Sequence, residues 1–348
     1  MHERTENVSE SGWNPSAIAK KLHVPTYDEI LEKIKSRYPR RSRYKSLLEA
    51  EIARLQTTFN ILISKTDFIK SLVSLLDSLH PFFWSLIEIE FNKNEIKKSI
   101  KCIAKARKLA SSFWEKYRYL LMGADDPKEL RILASEGRGR MLSQIKRCRK
   151  SLITLRSLVV FLSKLPAIDP SLKTIIVAGA PSTGKSTFVA SASRARPKIS
   201  PYPFTTKTIH VGHVDIANTK IQLIDTPGIL DRPPERMNTI ERKAVAAFNN
   251  IDGVILLMID VSDAPAIEVE NQFRILETLN LLNKKDIYLF INKIDISNKS
   301  NLEKARSIAY ELYENKKVKR VFEGVALDRD LVRRVILSIS EDEGWIKA

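Results

Sequence analysis

Apolar residues recur at helical spacing through the first half of the chain, and between positions 59 and 79 they lie near one helical face. The pattern predicts helices over residues 27–37, 43–78, 82–121 (with a break near Asn92–Asn94), 126–136 and 138–164. Asp126 followed by Pro127 is typical of a capped helix start. We therefore expect an all-α helical bundle over residues 26–166, after a polar N-terminal segment over residues 1–25.

The pattern changes after Pro166 and Pro170, which stop a helix. Short β-branched runs then predict strands over residues 173–178, 208–216, 220–225, 253–260, 286–292 and 319–325. Helices are predicted at 185–194, 238–249, 265–280, 301–315 and 328–340. This alternation indicates an α/β domain over residues 167–348, with a mostly parallel six-stranded sheet covered on both faces.

The charge is unevenly distributed. The 348 residues include 58 Lys+Arg and 41 Asp+Glu, a net charge of +17. Residues 1–170 contain 32 basic and 19 acidic side chains, whereas residues 171–348 contain 26 and 22. Such asymmetry favours a polyanionic partner, either nucleic acid or an anionic membrane.

Other features of composition narrow the class of protein. No uncharged apolar run reaches about 18 residues, and no signal-peptide core is evident. Cys102 and Cys148, without a CxxC pair, argue against a disulfide framework or a cysteine zinc ribbon and favour a reducing compartment. We expect a monomeric, cytoplasmic protein with no membrane partner.

A phosphate-binding motif follows the strand that ends near Ala178. Residues 179–186 read GAPSTGKS, which is GxxxxGK[ST] with a strand before it and a helix after it. Backbone amides of such a loop surround a phosphate chain, and the helix N-terminus adds its dipole. The expected nucleotide contacts are Gly179, Ala180, Pro181, Ser182, Thr183, Gly184, Lys185, Ser186 and Thr187. Lys185, a predicted catalytic residue, would contact the β- and γ-phosphates, and the Ser186 hydroxyl would ligate Mg²⁺.

The sequence NKID at residues 292–295 predicts that the base is guanine. An Asp295 carboxylate can accept from both the ring N–H and the exocyclic amine of guanine, a donor pair that adenine lacks. Asn292 would brace the pocket, and the stem of Lys293 would cover the base. An isolated NKxD is more often a solvated loop, but here it follows a predicted strand. A backbone amide within residues 325–327 would meet the guanine oxygen, which adds Val325, Ala326 and Leu327 as candidates.

Two further segments fit the third phosphate. Asp225 in DTPG would hold Mg²⁺ through a water, and the Gly228 amide, a predicted catalytic group, would sense the γ-phosphate. The run YPFTT at residues 202–206 supplies a threonine that closes over the metal, and Thr206 is favoured over Thr205. A strand-entry role for Thr206 remains the alternative.

Together, GxPxxGKS, YPFTT, DTPGIL and NKxD resemble the Obg-like branch of translation-associated GTPases. The segment LHPFF at 79–83, the run at 139–152 and LPAIDP at 165–170 are similar to the nucleolar GTP-binding protein family and its archaeal counterparts. The resemblance implies a helical domain followed by a G domain. It also implies a role in maturation of the large ribosomal subunit, with its rRNA and pre-ribosomal particle as partners.

The chain departs from the family pattern at three places. Many members carry Asn at the position of Ser182, which supports potassium-assisted hydrolysis in some of them, so K⁺ activation is not carried over. Val325 replaces the familiar Ser of the last guanine motif. Eukaryotic members have a long C-terminal extension, whose function is not carried over either.

Hydrolysis is expected to be slow. The residue after Gly228 is Ile229, where Ras-type enzymes have a water-orienting Gln. An apolar side chain cannot orient water, so a partner would have to accelerate turnover. Alternatively, another residue or the nucleotide itself orients the water.

Basic side chains form stripes on the predicted helices. The candidates for RNA contact are Lys97, Lys101, Lys105, Lys108, Arg138, Arg140, Lys146, Arg147, Arg149 and Lys150. Any one stripe is commonly only a solvated helix face, and support of the G domain is the alternative role for Arg140. His210 and His213 are assigned structural roles.

The leading hypothesis is a GTP-binding and GTP-hydrolysing switch for large-subunit assembly, which uses Mg²⁺ and GTP/GDP. The alternative is an RNA-anchored scaffold for which GTP is mainly a structural ligand. A membrane-associated signalling GTPase is disfavoured because no lipidation signal is evident.

Overall fold

The computed structural model describes residues 14–193, 197–204, 208–227, 230, 237–279 and 285–346. These residues form two compact units. The helical unit consists of Pro15–Leu79 and Glu90–Ser163. The sheet unit consists of the described residues within Met1–Asn14, His80–Ile89 and Lys164–Ala348. The sheet unit is therefore discontinuous in sequence.

The helical unit is all-α, as predicted, but its helices divide differently. They are α1 (Pro15–Lys20), α2 (Tyr27–Ser36), α3 (Leu47–Lys65), α4 (Phe68–Asp77), α6 (Lys93–Met122), α7 (Pro127–Arg147) and α8 (Arg149–Leu162); α5 (Pro81–Glu90) lies in the sheet unit. Segment 43–78 is two helices, and α1 lies inside the stretch expected to be only a polar segment. The break predicted near Asn92 is present, because the Asn92 side chain accepts from the amides of Asn94 and Glu95 and caps α6.

The predicted break at residue 137 is wrong. Helix α7 runs through Gly137 and Gly139 and ends only at Arg147. A Cβ on Gly137 would lie 2.7 Å from the Tyr117 ring, so the glycine permits close packing of α7 on α6. The glycine therefore serves contact between helices and does not end one.

Cys102 and Cys148 are joined by a disulfide, with Cα atoms 5.9 Å apart. The sequence analysis argued against a disulfide framework and did not predict this single bond. The bond links α6 to the junction of α7 and α8. The 46-residue separation in sequence gave no sign that the helices bring these positions together.

The sheet unit contains seven strands, one more than predicted. They are β1 (Lys173–Gly179), β2 (Lys198–Pro201), β3 (Thr208–Ile216), β4 (Thr219–Asp225), β5 (Gly253–Asp260), β6 (Ile287–Asn292) and β7 (Arg320–Gly324). Their spatial order is β2-β3-β4-β1-β5-β6-β7. The β2–β3 and β3–β4 pairs are antiparallel, and the other pairs are parallel. The short edge strand β2 is the one that the sequence analysis missed.

Helices connect the strands of the sheet unit. They are α9 (Lys185–Ala192), α10 (Thr239–Ala246), α11 (Val269–Phe273), α12 (Ile275–Leu279), α13 (Lys299–Glu314) and α14 (Arg329–Asp342). A buried cluster that includes Phe188, Leu256, Phe290 and Ile336 forms part of the core. The parallel strands β1, β4, β5, β6 and β7 all end at one edge of the sheet, so the residues that follow them converge there.

Helix α5 packs on the sheet unit through an aromatic series. The Phe82 ring lies 5.8 Å from Phe248, and Phe248 stacks on Tyr202 at 5.3 Å between ring centroids. The Asn250 side-chain amide also donates to the Ser85 hydroxyl at 2.9 Å. Burial raises the pKa of Tyr202, so its hydroxyl stays protonated and donates to the Ala244 carbonyl. A segment from the helical half of the sequence thus completes the core of the sheet unit.

Among the described residues, no single helix is long and apolar enough to cross a bilayer. Two consecutive segments, Leu47–Asp77 and Pro81–Glu90, meet the criteria of length and hydropathy when they are taken together, but the chain bends sharply between them.

Candidate nucleotide-binding site

The loop between β1 and α9 has the backbone that the phosphate motif requires. Gly179 has φ +146° and Gly184 has φ +97°, a region that L side chains rarely adopt. A Cβ on Gly179 would lie 2.6 Å from the Met258 carbonyl oxygen, and a Cβ on Gly184 would lie 2.4 Å from the side-chain Nδ2 of Asn292. Both glycines are therefore needed to bring the loop against its neighbours.

Lys185 begins α9 and turns back into the loop. Its Nζ donates to the carbonyls of Gly179 and Ala180 at 2.8 and 2.7 Å. The side chain is buried, although it carries the charge that phosphates would neutralise. A cavity of about 350 Å³ beside it is lined by Pro181, Ser182, Gly184, Lys185, Ser186, Thr187 and Pro227. This arrangement can bind a phosphate chain at the N-terminus of a helix.

Asp225 lies at the carboxyl end of β4, beside this cavity. Its Oδ2 accepts from the Ser186 hydroxyl at 2.5 Å and lies 3.1 Å from His210 Nδ1. Its Oδ1 is buried and has no hydrogen-bond partner among the described residues. A buried carboxylate oxygen without a partner is costly unless a ligand satisfies it.

This geometry fits the predicted magnesium site. Mg²⁺ prefers oxygen ligands and is commonly held by one or two protein groups together with phosphates and water. The Ser186 hydroxyl and the free Asp225 oxygen supply such ligands. The described residues contain no cluster of three or more His, Cys, Asp or Glu that could hold a metal alone.

Asn292 connects the base motif to the phosphate loop. Its Nδ2 donates to the Thr183 carbonyl at 2.7 Å, and its Oδ1 accepts from the Ala326 amide at 2.8 Å. One buried side chain therefore fixes three segments that are far apart in sequence: the phosphate loop, the end of β6 and the turn after β7. Because the Ala326 amide already donates to Asn292, it is not free to meet the guanine oxygen.

The side chains that would meet the base lie beside this brace. Lys293 has φ +64°, and its Nζ donates to the buried Asp260 carboxylate at 2.6 Å. This ion pair fixes the course of the Lys293 stem. Asp295 is exposed, and Leu327 is 73% exposed. An accessible carboxylate is a suitable acceptor for the donor edge of guanine.

Two predicted residues lie outside the described residues. They are Thr206, expected to ligate the metal, and Gly228, expected to sense the γ-phosphate. Ile229, on which the slow rate depends, lies outside them as well. Their roles stay predictions.

The basic candidates in the helical unit fall into two groups. Those that are exposed and make no ion pair with any described residue are Lys97, Lys101, Lys105, Lys108, Lys146, Arg147 and Lys150. The other three candidates, all arginines, are paired: Arg140 contacts Glu136 at 2.6 Å, and Arg149 contacts Asp28 at 2.7 Å. The Arg138 side chain is only 18% exposed and contacts buried Glu51 at 2.8 Å. Arg138 thus forms an ion pair in the interior of the helical unit, which argues against its predicted RNA contact.

Comparison with known families covers most of the chain. Residues 20–169 match the NOG1 N-terminal helical domain, and residues 174–293 match the family described as 50S ribosome-binding GTPase. The chain is 34% identical to nucleolar GTP-binding protein 1 of Drosophila melanogaster and 32% identical to that of Caenorhabditis elegans, over 80% of its own length in each case. The chain belongs to the nucleolar GTP-binding protein family.

Membership confirms a P-loop GTPase domain preceded by a helical domain. The chain matches 42% of the length of each of those two relatives. A crystal structure of a candidate nucleolar GTP-binding protein 1 from Plasmodium falciparum is 33% identical, with a TM-score of 0.40, and the match covers 52% of this chain and 97% of that one.

One prediction is contradicted by the family. We expected a cytoplasmic protein, and the name of the curated relatives, nucleolar GTP-binding protein 1, contradicts that prediction.

The sequence analysis did not identify two residues of the site, Asp260 and His210. Asp260 is the last residue of the buried strand β5, and a carboxylate at that edge of a parallel sheet was a usable signal. His210 was assigned a structural role, yet it contacts Asp225. Only the pairing register of β3 with β4, which sets His210 opposite Asp225, reveals this contact.

Proposed function

We propose that the chain is a GTP-hydrolysing switch that acts in maturation of the large ribosomal subunit by binding its rRNA. The observation that carries the nucleotide part is Asn292, which joins the phosphate loop to the guanine motif. The family and the unpaired lysines of α6 support the ribosomal part.

Selection of guanine is assigned to Asp295. Its carboxylate accepts from the ring N–H and the exocyclic amine of guanine, while Lys293, fixed by Asp260, covers one face of the base. Asn292 holds this pocket at a fixed position relative to the phosphate loop. Base and phosphates are therefore read by one rigid edge of the sheet.

The triphosphate is assigned to the loop amides and to Lys185. The Lys185 ammonium would exchange its loop carbonyls for β- and γ-phosphate oxygens, a charge-assisted contact. Ser186 and Asp225 would hold Mg²⁺, with Thr206 as a further predicted ligand. Bound there, Mg²⁺ supplies neutralisation of the charge on the β- and γ-phosphates.

Slow intrinsic hydrolysis follows from Ile229, which cannot hydrogen-bond to the attacking water. An arginine supplied by a partner contributes about 10³–10⁵ in rate in related GTPases. A bound pre-ribosomal particle is the expected source of such a group. The protein would then hold GTP until it reaches its binding site.

The RNA surface is assigned to α6. Lys97, Lys101, Lys105 and Lys108 lie on one stripe of a helix that rises about 1.5 Å per residue, so they extend over roughly 16 Å. Exposed lysines of this kind contact phosphates and carry no base readout, and A-form RNA is recognised mainly by its backbone and shape. Binding should therefore depend strongly on salt.

A charge-reversal variant tests the RNA assignment. Lys97→Glu, Lys101→Glu and Lys105→Glu together should weaken binding to purified large-subunit precursor particles while GTP affinity stays unchanged. The matched control reverses three exposed lysines of the sheet unit, Lys299, Lys316 and Lys317, and should bind nearly as the wild type does.

The outcomes separate the two functions. Unchanged association of the α6 variant at low salt contradicts the RNA surface. A second outcome favours the RNA-anchored scaffold over the switch. In that outcome the α6 variant no longer binds particles, and particles do not stimulate GTP turnover by the wild type.

A further inference from the structure

The Asp225 carboxylate is held asymmetrically, and His210 contributes to this asymmetry. Asp225 Oδ2 has two contacts, Ser186 Oγ at 2.5 Å and His210 Nδ1 at 3.1 Å, whereas Asp225 Oδ1 has none among the described residues. Both contacts thus fall on one oxygen. The other oxygen is left as the one available to a ligand.

The position of His210 follows from the sheet. Strand β3 runs antiparallel to β4, and its register sets His210 opposite Asp225, the last residue of β4. The His210 side chain is 27% exposed, while Asp225 is fully buried. An ionised carboxylate only accepts hydrogen bonds, so the contact requires the proton on Nδ1 of the imidazole. The His210 donor is held in place, because the hydrogen bonds between β3 and β4 fix its backbone.

We infer that His210 is a positioning residue for magnesium: it orients the Asp225 carboxylate so that Oδ1 faces the metal site. The inference deepens the proposed function and rests on it. Groups that orient a metal ligand from behind commonly change metal affinity by about 10–100-fold when removed. His210 touches neither nucleotide nor metal in this assignment and acts only through Asp225.

A purely structural role for His210 makes a different prediction. If the imidazole only fills space between β3 and its neighbours, replacement by an apolar ring of similar size should leave the magnesium dependence unchanged. His213 provides the comparison within the same strand. It lies three residues away, on the opposite face, and pairs with Gln222 in the register.

The test measures release of fluorescent GDP from the full chain as a function of Mg²⁺ concentration. His210→Phe should raise the Mg²⁺ concentration at half-maximal retention by about 10-fold. It should release GDP in excess EDTA at the wild-type rate. His210→Asn places an amide donor at a similar reach and should restore most of the magnesium dependence. His213→Phe should behave as the wild type does.

Each outcome bears on the inference. A His210→Phe midpoint equal to that of the wild type overturns it, as does an equal shift in His213→Phe. If His210→Phe fails to fold, a His210→Asn midpoint as poor as that of Asp225→Asn also overturns it. Failure of the wild type to bind GDP at all would overturn the proposed function, and this inference with it.

Discussion

Phe82 provides a direct test of whether α5 belongs to the nucleotide-binding unit. Its side chain is fully buried, and its ring centroid lies 5.1 Å from Phe83 and 5.8 Å from Phe248. Phe248 in turn stacks on Tyr202, which opens the YPFTT segment. Phe82→Ala would remove one ring from this series and leave a cavity beneath Phe248.

The expected loss is large. Truncation of a buried phenylalanine to alanine costs about 3–5 kcal/mol, against a total stability of about 5–15 kcal/mol for a domain. Aromatic pairs add about 0.5–1.5 kcal/mol beyond their buried area, which places Phe82 in the upper part of that range. For a unit of this size each 1 kcal/mol lowers Tm by about 2–4 °C, so the shift should be roughly 6–20 °C.

Thermal unfolding with and without GDP and Mg²⁺ assigns the loss to a unit. The transition that rises with GDP reports the nucleotide-binding unit, because a ligand stabilises the unit that binds it. Phe82→Ala should lower this transition. The matched control is Leu72→Ala, which truncates a fully buried side chain of α4 in the helical unit and should lower only the other transition.

The reasoning would be refuted by the reverse pattern. If Phe82→Ala lowers the GDP-insensitive transition and leaves the other in place, α5 belongs energetically to the helical unit. Hydrogen exchange in peptides that contain Tyr202 and Phe248 answers the same question where the two transitions overlap.

Two further predictions concern the guanine base and the charge of Lys285, which is half-buried. Asp295→Asn should shift preference from guanine toward xanthine nucleotides, because the amide offers a donor where guanine also donates; competition binding measures this, and an unchanged preference contradicts the assignment. Burial lowers the pKa of Lys285 from 10.5 to about 8, where its Nζ donates to the Ile251 and Gly253 carbonyls. Between pH 8 and 10.5 the unfolded chain binds more protons at this site, so its contribution to stability rises with pH. Lys285→Met should remove that rise, which urea midpoints at pH 7.5 and 10 would show, and parallel profiles for both proteins would argue against it.

Features encoded by short stretches of sequence were predictable. The phosphate loop is contiguous, and its glycines have the positive φ values that the motif requires. The start of α7 was predicted from Asp126, whose carboxylate accepts from the Glu129 amide at 3.1 Å. In each case the residues that determine the structure are neighbours in the chain, so the pattern carries the information.

Features that depend on distant partners were not predictable. The apolar run around Phe82 has the same helical period whichever unit it packs on, so nothing local assigned α5 to the sheet unit. Strand β2, over Lys198–Pro201, is too short to show alternation. Gly137 has the composition of a helix break, but the Tyr117 ring that explains it lies 20 residues away. The His210–Asp225 contact exists only once two strands are in register.

The insertion of α5 into the sheet unit also affects how the chain matures during translation. About 170 residues separate Phe82 from Phe248, so at about 5–20 residues per second the ring emerges roughly 8–35 s before its partner. The nascent protein carries an apolar helix without its docking surface throughout that interval. We expect this segment to be the stretch of the emerging chain that chaperones bind, and the GTPase core to close only after Phe248 has been synthesised.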